Sequence, residues 1–185
     1  LGGKYEVIAL LGSGCEGEAY RVVEKRTGIH RAVKVFYPAR NAKDQAVRTT
    51  ARKLERLRHC ALIIQYHHTE AFRHRGQPVT GLVSALVDGE PLADFVRRQP
   101  GQRMQVFEAL ILLQQLTTGL TQIHEAREYH GDVHDRNVLI RRRGVHFDVK
   151  LLDFYHWGRT GRPKFQEDII QLIRLFYDAV GGRKR

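Results

Sequence analysis

The stretch EYHGDVHDRNVLI, residues 128–140, decides how the chain reads. It sets two His, two Asp, an Arg and an Asn in one short polar segment and then turns apolar at Val138. An apolar run of that length after a polar loop predicts a buried strand, which places the titratable groups at the strand's mouth. Asp132 and Asn137 lie five positions apart, and another carboxylate, Asp153, ends the next apolar run in LLDF. Asn137 and Asp153 supply hard oxygen ligands of the kind Mg2+ takes alongside phosphate and water. Asp132 is then left to orient a hydroxyl and accept its proton. Singly, each has an ordinary structural reading: Asp132 as a turn cap, Asn137 as a loop residue, Asp153 as a strand-end cap.

Two upstream signals change the balance. In LGSGCEGEAY, residues 11–20, Gly12, Gly14 and Gly17 follow one strand pattern and precede another. Glycines there let backbone N–H groups approach a phosphate, because no Cβ stands in the way. Alone the triplet reads equally as a tight hairpin turn, and a dinucleotide fold would place a helix after it. In RAVKVF, residues 31–36, strand alternation puts Ala32 and Lys34 on one face and Val33 and Val35 on the other. A small Ala beside a Lys suits a pocket wall with an ammonium aimed at phosphate oxygens; the alternative is a lysine that snorkels outward.

The surrounding pattern gives the frame. Three strands are predicted at residues 5–14, 18–25 and 30–36, forming an antiparallel meander, and a helix over 42–59. Strands follow at 61–68 and 76–87, then helices at 91–98 and 104–125. Two short strands, 137–143 and 147–154, precede a last helix at 166–180 with Gly181-Gly182 at its C-cap. The prediction is an α+β chain: a β-rich half with one helix, a polar crossing, then a mostly helical half.

Composition bounds the function. The 185 residues carry 42% hydrophobic and 28% charged side chains, a globular balance. A net charge of +11 calls for an anionic partner, with phosphates, nucleic acid and membrane surfaces all in that class. The runs Arg141-Arg142-Arg143 and Arg183-Lys184-Arg185 read as a solvated loop and a fraying end. The basic helix at 42–58 (Lys43, Arg48, Arg52, Lys53, Arg56, Arg58) is a candidate docking face for something acidic. Two cysteines, Cys15 and Cys60, exclude a disulfide framework and point to a reducing, cytoplasmic setting. No apolar run reaches the about 18 residues a membrane span needs. His59, His67, His68 and His74 near Cys60 fall short of zinc-ligand spacing. A first residue of Leu rather than Met marks a processed or trimmed piece.

Taken together, these motifs resemble the protein-kinase family over nearly the whole chain. KYEVIALLGSGCEGEAY is similar to the glycine-rich loop, with Ala19 where Val is usual, and RAVK to the strand of the phosphate-anchoring lysine. LVSALVDGEPL resembles the segment joining the lobes. HGDVHDRN resembles the catalytic loop, DFY stands at the metal-binding Asp-Phe-Gly, and EDIIQLIRLFYDAVGG resembles the helix whose Asp holds that loop. The resemblance implies a bilobal kinase fold: an N-lobe at 1–84, a hinge at 85–91 and a shortened C-lobe at 92–185. It implies ATP and Mg2+ as cofactors, Asp132 as catalytic base, Lys34 and Asn137 beside it, and Asn137 and Asp153 on the metal. Nucleotide would lie against Leu11, Gly12, Gly14, Gly17, Ala19, Ala32, Lys34, Ser84 (the gatekeeper), Ala85, Val87 and Leu139. Asp168 would hold the catalytic loop.

The chain departs from the pattern in informative places. Gly131 precedes Asp132 where many kinases carry Arg, which implies that the Arg-mediated phosphate switch is absent. Fifteen positions separate Asp153 from Asp168, with no Ala-Pro-Glu between them. His134 stands where Lys is common, and Tyr155 where Gly follows Asp-Phe. HGD with Asn five positions on is also how aminoglycoside and choline-type phosphotransferases look. Counting along the helix to the acid that usually pairs the lysine lands on Thr50. Glu55 is the nearest acid, and its competing reading is an exposed partner of Arg52 or Arg58. Three functions stay open: a Ser/Thr protein kinase, which the glycine loop favours; a kinase of small-molecule, lipid or sugar hydroxyls; and a pseudokinase or binding module.

Overall fold

The computed structural model describes residues 1–74, 76–154 and 160–182. The chain divides into two compact units, Leu1–Arg58 with Ile64–Val87, and His59–Ile63 with Asp88–Arg185. Arg183, Lys184, Arg185 and Tyr155 lie outside the described residues.

The first unit is built on a five-stranded antiparallel sheet in the order β1-β2-β3-β5-β4. Its strands are β1 (Tyr5–Ser13), β2 (Gly17–Glu24), β3 (His30–Phe36), β4 (Tyr66–His74) and β5 (Gln77–Ala85). The expected meander of the first three strands is present, closed at Thr27-Gly28 where Gly28 takes φ +70°. Alternation does what the sequence pattern predicts in β3: Val33 and Val35 are buried, while Ala32 and Lys34 are half-buried. Tyr5, Val22, Val33, Val35, Phe72 and Val83 form the core cluster. β1 departs from its apolar composition, because it is an edge strand and leaves Val7, Ile8, Leu10 and Leu11 exposed.

Helix α1 (Gln45–Arg56) is shorter than the 42–59 pattern suggests. Lys43 and Asp44 adopt φ of 53° and 58°, so the stretch before Gln45 is a 3-10 turn rather than α-helix. α1 buries Val47, Thr50, Ala51, Lys53 and Leu54 and exposes Arg48, Arg52 and Arg56. The predicted strand at 61–68 begins only at Tyr66. Leu62 and Ile63 belong to the second unit, where the Leu62 carbonyl accepts from Leu151 N–H at 2.8 Å and Ile63 bridges Leu151. The apolar residues Leu62 and Ile63 are therefore buried in the second unit, joined to β8 by a single bridge rather than by a strand of their own.

The second unit contains β6 (Glu90–Pro91), α2 (Leu92–Arg98), α3 (Val106–Glu125), β7 (Val138–Arg143), β8 (His146–Leu151) and α4 (Arg162–Ala179). β6, β7 and β8 form a small antiparallel sheet, and α3 packs on β8 and α4. The apolar stripe of α3 buries Ala109, Leu112, Leu116, Leu120 and Ile123, a helical repeat facing one core. α4 starts four residues before the predicted position, with Pro163 in its first turn, and the chain leaves it through Gly181 at φ +95°, just past the Val180 C-cap. Among the described residues no helix is long and apolar enough to cross a membrane.

The arginine run is not a solvated loop. Residues 141–143 end β7, and their guanidiniums pair with Asp88, Glu108 and Asp148 in turn, Arg142 also lying over the rings of Phe95 and Phe147. Cys60 is buried with its thiol 3.7 Å from the Gly119 carbonyl, and burial pushes that thiol above the usual cysteine range. Lys150 donates to the carbonyls of Ala61 and Ile63, and burial draws its pKa down. Cys15 is exposed.

Candidate active site

In the first unit the site residues converge through strand register. Gly12 sits opposite Ala19, Ala19 opposite Lys34, Lys34 opposite Leu82, and Ala32 opposite Ser84. Directly paired residues share a face, so Gly12, Ala19, Ala32, Lys34 and Ser84 line one side of the sheet. Ser84 is buried, and its hydroxyl lies 3.4 Å from the Ala85 carbonyl. The Ala85 N–H is engaged by the Gln65 carbonyl at 2.9 Å, and Ala85 and Val87 are half-buried.

The three glycines differ in what they do for the fold. The turn between β1 and β2 closes with Gly14 N–H donating to the Gly17 carbonyl at 2.9 Å. A Cβ on Gly17 would fall 2.1 Å from the Val35 carbonyl oxygen, so the fold itself requires glycine there. A Cβ on Gly12 or Gly14 would meet nothing within 4 Å, and neither takes a positive φ. The packing of this unit gives no reason for glycine at 12 and 14; close approach of a ligand above the loop would give one.

Lys34 meets a carboxylate that the sequence pattern did not single out. Its Nζ lies 3.1 Å from Glu16 Oε2 and 5.1 Å from the Phe36 ring centroid. Glu55, the candidate partner from the helix, is instead 2.7 Å from Arg58 in an exposed i,i+3 pair. At Thr50, the position the kinase pattern gives to the helix acid, the hydroxyl donates to the Ala46 carbonyl at 2.8 Å.

In the second unit a buried carboxylate organises the loop at residues 130–137. Asp168 on α4 has no solvent exposure. It accepts from the His130 N–H at 2.9 Å, the Gly131 N–H at 2.6 Å and His124 Nε2 at 2.8 Å. Gly131 holds φ +82°, a conformation that favours glycine. Three residues on along α4, Gln171 accepts from the Val133 N–H at 2.7 Å and reaches the Gly131 carbonyl. The His130 ring is fixed as well: the Asp132 N–H donates to Nδ1 at 3.2 Å, so Nε2 carries the proton toward the Leu152 carbonyl at 2.7 Å. The Phe154 ring packs against that of His130 at a tilt of 43°, with centroids 4.7 Å apart.

Asn137 is buried, and its amide nitrogen donates to the Asp132 carbonyl at 2.9 Å and to Asp132 Oδ2 at 3.0 Å. Both amide protons are thereby engaged on Asp132, which leaves Oδ1 as the atom able to face a cation. The Asp132 carboxylate is half exposed, with His134 Nε2 at 3.5 Å. Asp153 is exposed and takes φ +55°, a sparsely populated conformation for a residue with a side chain. It follows Leu152, whose N–H donates to the Asn137 carbonyl at 2.8 Å and whose carbonyl accepts from His130, and it precedes buried Phe154. Leu139 is half-buried in β7 opposite Pro91 and Lys150. Sequence reasoning missed Glu16, His124 and Gln171. Only Gln171 carried a signal, its i,i+3 spacing from Asp168 on one helix face. Among the described residues no group of three or more His, Cys, Asp or Glu could hold a metal ion.

Residues 5–169 match the protein kinase domain family. The chain belongs to that family. This kinase-family chain is 32% identical over 157 residues to the serine/threonine-protein kinase pkn2 of Myxococcus xanthus, covering 83% of its own length and 18% of the relative's. It is 30% identical over 157 residues to the serine/threonine-protein kinase PknA of Mycobacterium tuberculosis, covering 83% of its own length and 35% of the relative's. The chain thus spans about a fifth to a third of these curated relatives. The crystal structure of the Mycobacterium tuberculosis PknI kinase domain superposes with a TM-score of 0.69 at 20% identity, covering 97% of this chain and 73% of that one. That likeness establishes the α+β kinase fold.

Proposed function

We propose that the chain is an ATP- and Mg2+-dependent phosphotransferase acting on Ser or Thr hydroxyls of proteins. The observation that carries this reading is the buried Asp168, which grips the His130 and Gly131 peptides and so presents Asp132 and Asn137 together. A loop fixed from below by a fully buried carboxylate is pre-organised, and phosphoryl transfer depends mainly on alignment and charge neutralisation. In this reading Gly12 and Gly14 let the loop backbone close over the phosphates, and Lys34 steadies the α- and β-phosphate oxygens. Ala32, Ser84, Ala85, Val87 and Leu11 bound the base. Asp132 orients the acceptor hydroxyl and takes its proton.

The donor set fits a magnesium ion: Asn137 Oδ1 and the Asp153 carboxylate are hard oxygens, with phosphate and water to complete the shell. When bound, the metal neutralises charge on the β- and γ-phosphates. Gly131 in place of Arg and the short interval between Asp153 and Asp168 favour a second reading, transfer to a small-molecule or lipid-linked hydroxyl.

The test is a melting-temperature rise with ATP plus Mg2+, whose magnesium-dependent part disappears in Asp153→Ala. Labelled-phosphate transfer to proteins and to sugar acceptors then separates the two readings. Asp132→Asn is expected to lower transfer at least about a hundredfold with little change in nucleotide affinity. No thermal response to nucleotide would leave a binding module as the better description.

A further inference from the structure

Glu16 stands at the tip of the glycine loop, and its carboxylate lies 3.1 Å from the Lys34 amine. Its position is built rather than incidental. The Tyr37 N–H donates to the Glu16 carbonyl at 2.9 Å, tying the tip to the end of β3. On one side the Gly14–Gly17 bond closes the turn; on the other, Gly17 lies hard against the Val35 carbonyl. The side chain of Glu16 therefore leaves a backbone pinned on both flanks, and with Lys34 it is 24% and 21% exposed, a partly sheltered pair. Among the described contacts, Glu18 is engaged by Tyr20 and Tyr37, and Glu55 by Arg58.

A phosphate that enters under the loop needs the Lys34 amine, and a carboxylate on that amine has the charge and acceptor chemistry of a phosphate oxygen. When a nucleotide arrives, either the carboxylate leaves or two anions share one cation. In both cases the phosphates must compete with the carboxylate for the one amine. The base and the ribose face no such competition.

We propose that Glu16 is a specificity-determining counter-ion of the nucleotide site, holding Lys34 until phosphate displaces it. The proposal rests on the reading of Lys34 as the phosphate-anchoring amine. Glu16 acts through Lys34, and it makes phosphate-bearing ligands compete for an amine that is already neutralised.

Calorimetric titration of the full chain with ATP plus Mg2+, with ADP plus Mg2+ and with adenosine tests this. Glu16→Gln keeps the shape and removes the charge; it is expected to bind ATP about three- to tenfold more tightly and to leave adenosine within about twofold of wild type. Glu16→Ala should behave alike, and the gain should vanish when Glu16→Gln is placed on a Lys34→Met background. Unchanged or weaker ATP binding by Glu16→Gln, an equal gain for adenosine, or a gain that survives Lys34→Met overturns the proposal and leaves the nucleotide reading standing. Failure of both wild type and Glu16→Gln to bind ATP overturns the nucleotide reading, and the proposal falls with it.

Discussion

Asp168 accepts three hydrogen bonds where no solvent reaches, two of them from consecutive peptide N–H groups. Truncating it leaves those donors buried without acceptors, and each such group costs about 1–3 kcal/mol. Asp168→Ala is therefore expected to lower unfolding free energy by roughly 3–5 kcal/mol, read as a shifted urea midpoint with an unchanged slope. Asp168→Asn, which keeps one oxygen but turns an NH2 toward N–H donors, should fall between. A midpoint within experimental scatter of wild type for Asp168→Ala would show that the loop does not depend on it. At this scale the sequence was readable where spacing is short: Asp132 and Asn137 lie five positions apart in one loop, and their hydrogen bonds follow from that nearness. Glu16 and His124 were not readable, because their partners lie 18 and 44 positions away and nothing in residue type marks which carboxylate a lysine or histidine will meet.

At the scale of elements, the strands β1, β2, β3 and β5 and the helices α2 and α3 were legible from period and length, whereas β4, expected at 61–68, lies at Tyr66–His74. The segment at 61–65 was not legible. Its apolar residues look like a strand, but Leu62 packs against Gly119 in the middle of α3 and its carbonyl serves β8. A Cβ on Gly119 would lie 2.4 Å from Leu62 Cδ2 and 2.6 Å from Leu62 Cβ. The helix thus accepts a glycine, at about 1 kcal/mol in propensity, to let Leu62 approach its backbone. Gly119→Ala should improve helix propensity and still destabilise the protein by about 1–3 kcal/mol, because overpacking outweighs propensity. Adding Leu62→Ala should recover part of that loss, so the double variant is more stable than the sum of the singles predicts. Strict additivity in urea unfolding would mean that the two positions do not press on each other.

At the scale of the molecule, 31 Lys and Arg face 20 Asp and Glu, but the excess is unevenly distributed. The arginine run of β7 is neutralised by Asp88, Glu108 and Asp148, so it contributes little field beyond its own surface. Exposed Arg48 and Arg52 on α1 face outward one turn apart, and that helix offers Glu55 as its one acid. Such a surface attracts anions over about a Debye length and repels cationic chains by the same field. If the chain phosphorylates protein hydroxyls, the field should select among acceptors before any side chain is read. At about 50 mM salt, an acidic acceptor protein is expected to be phosphorylated about tenfold faster than a basic one of equal hydroxyl content; near 0.5 M, where the Debye length falls to a few ångströms, the two rates should converge to within about twofold. Charge reversal of Arg48 and Arg52 to Glu should shrink the low-salt preference without altering the rate at high salt. A preference that persists undiminished at high salt would place acceptor choice in direct contacts rather than in the field of the basic helix.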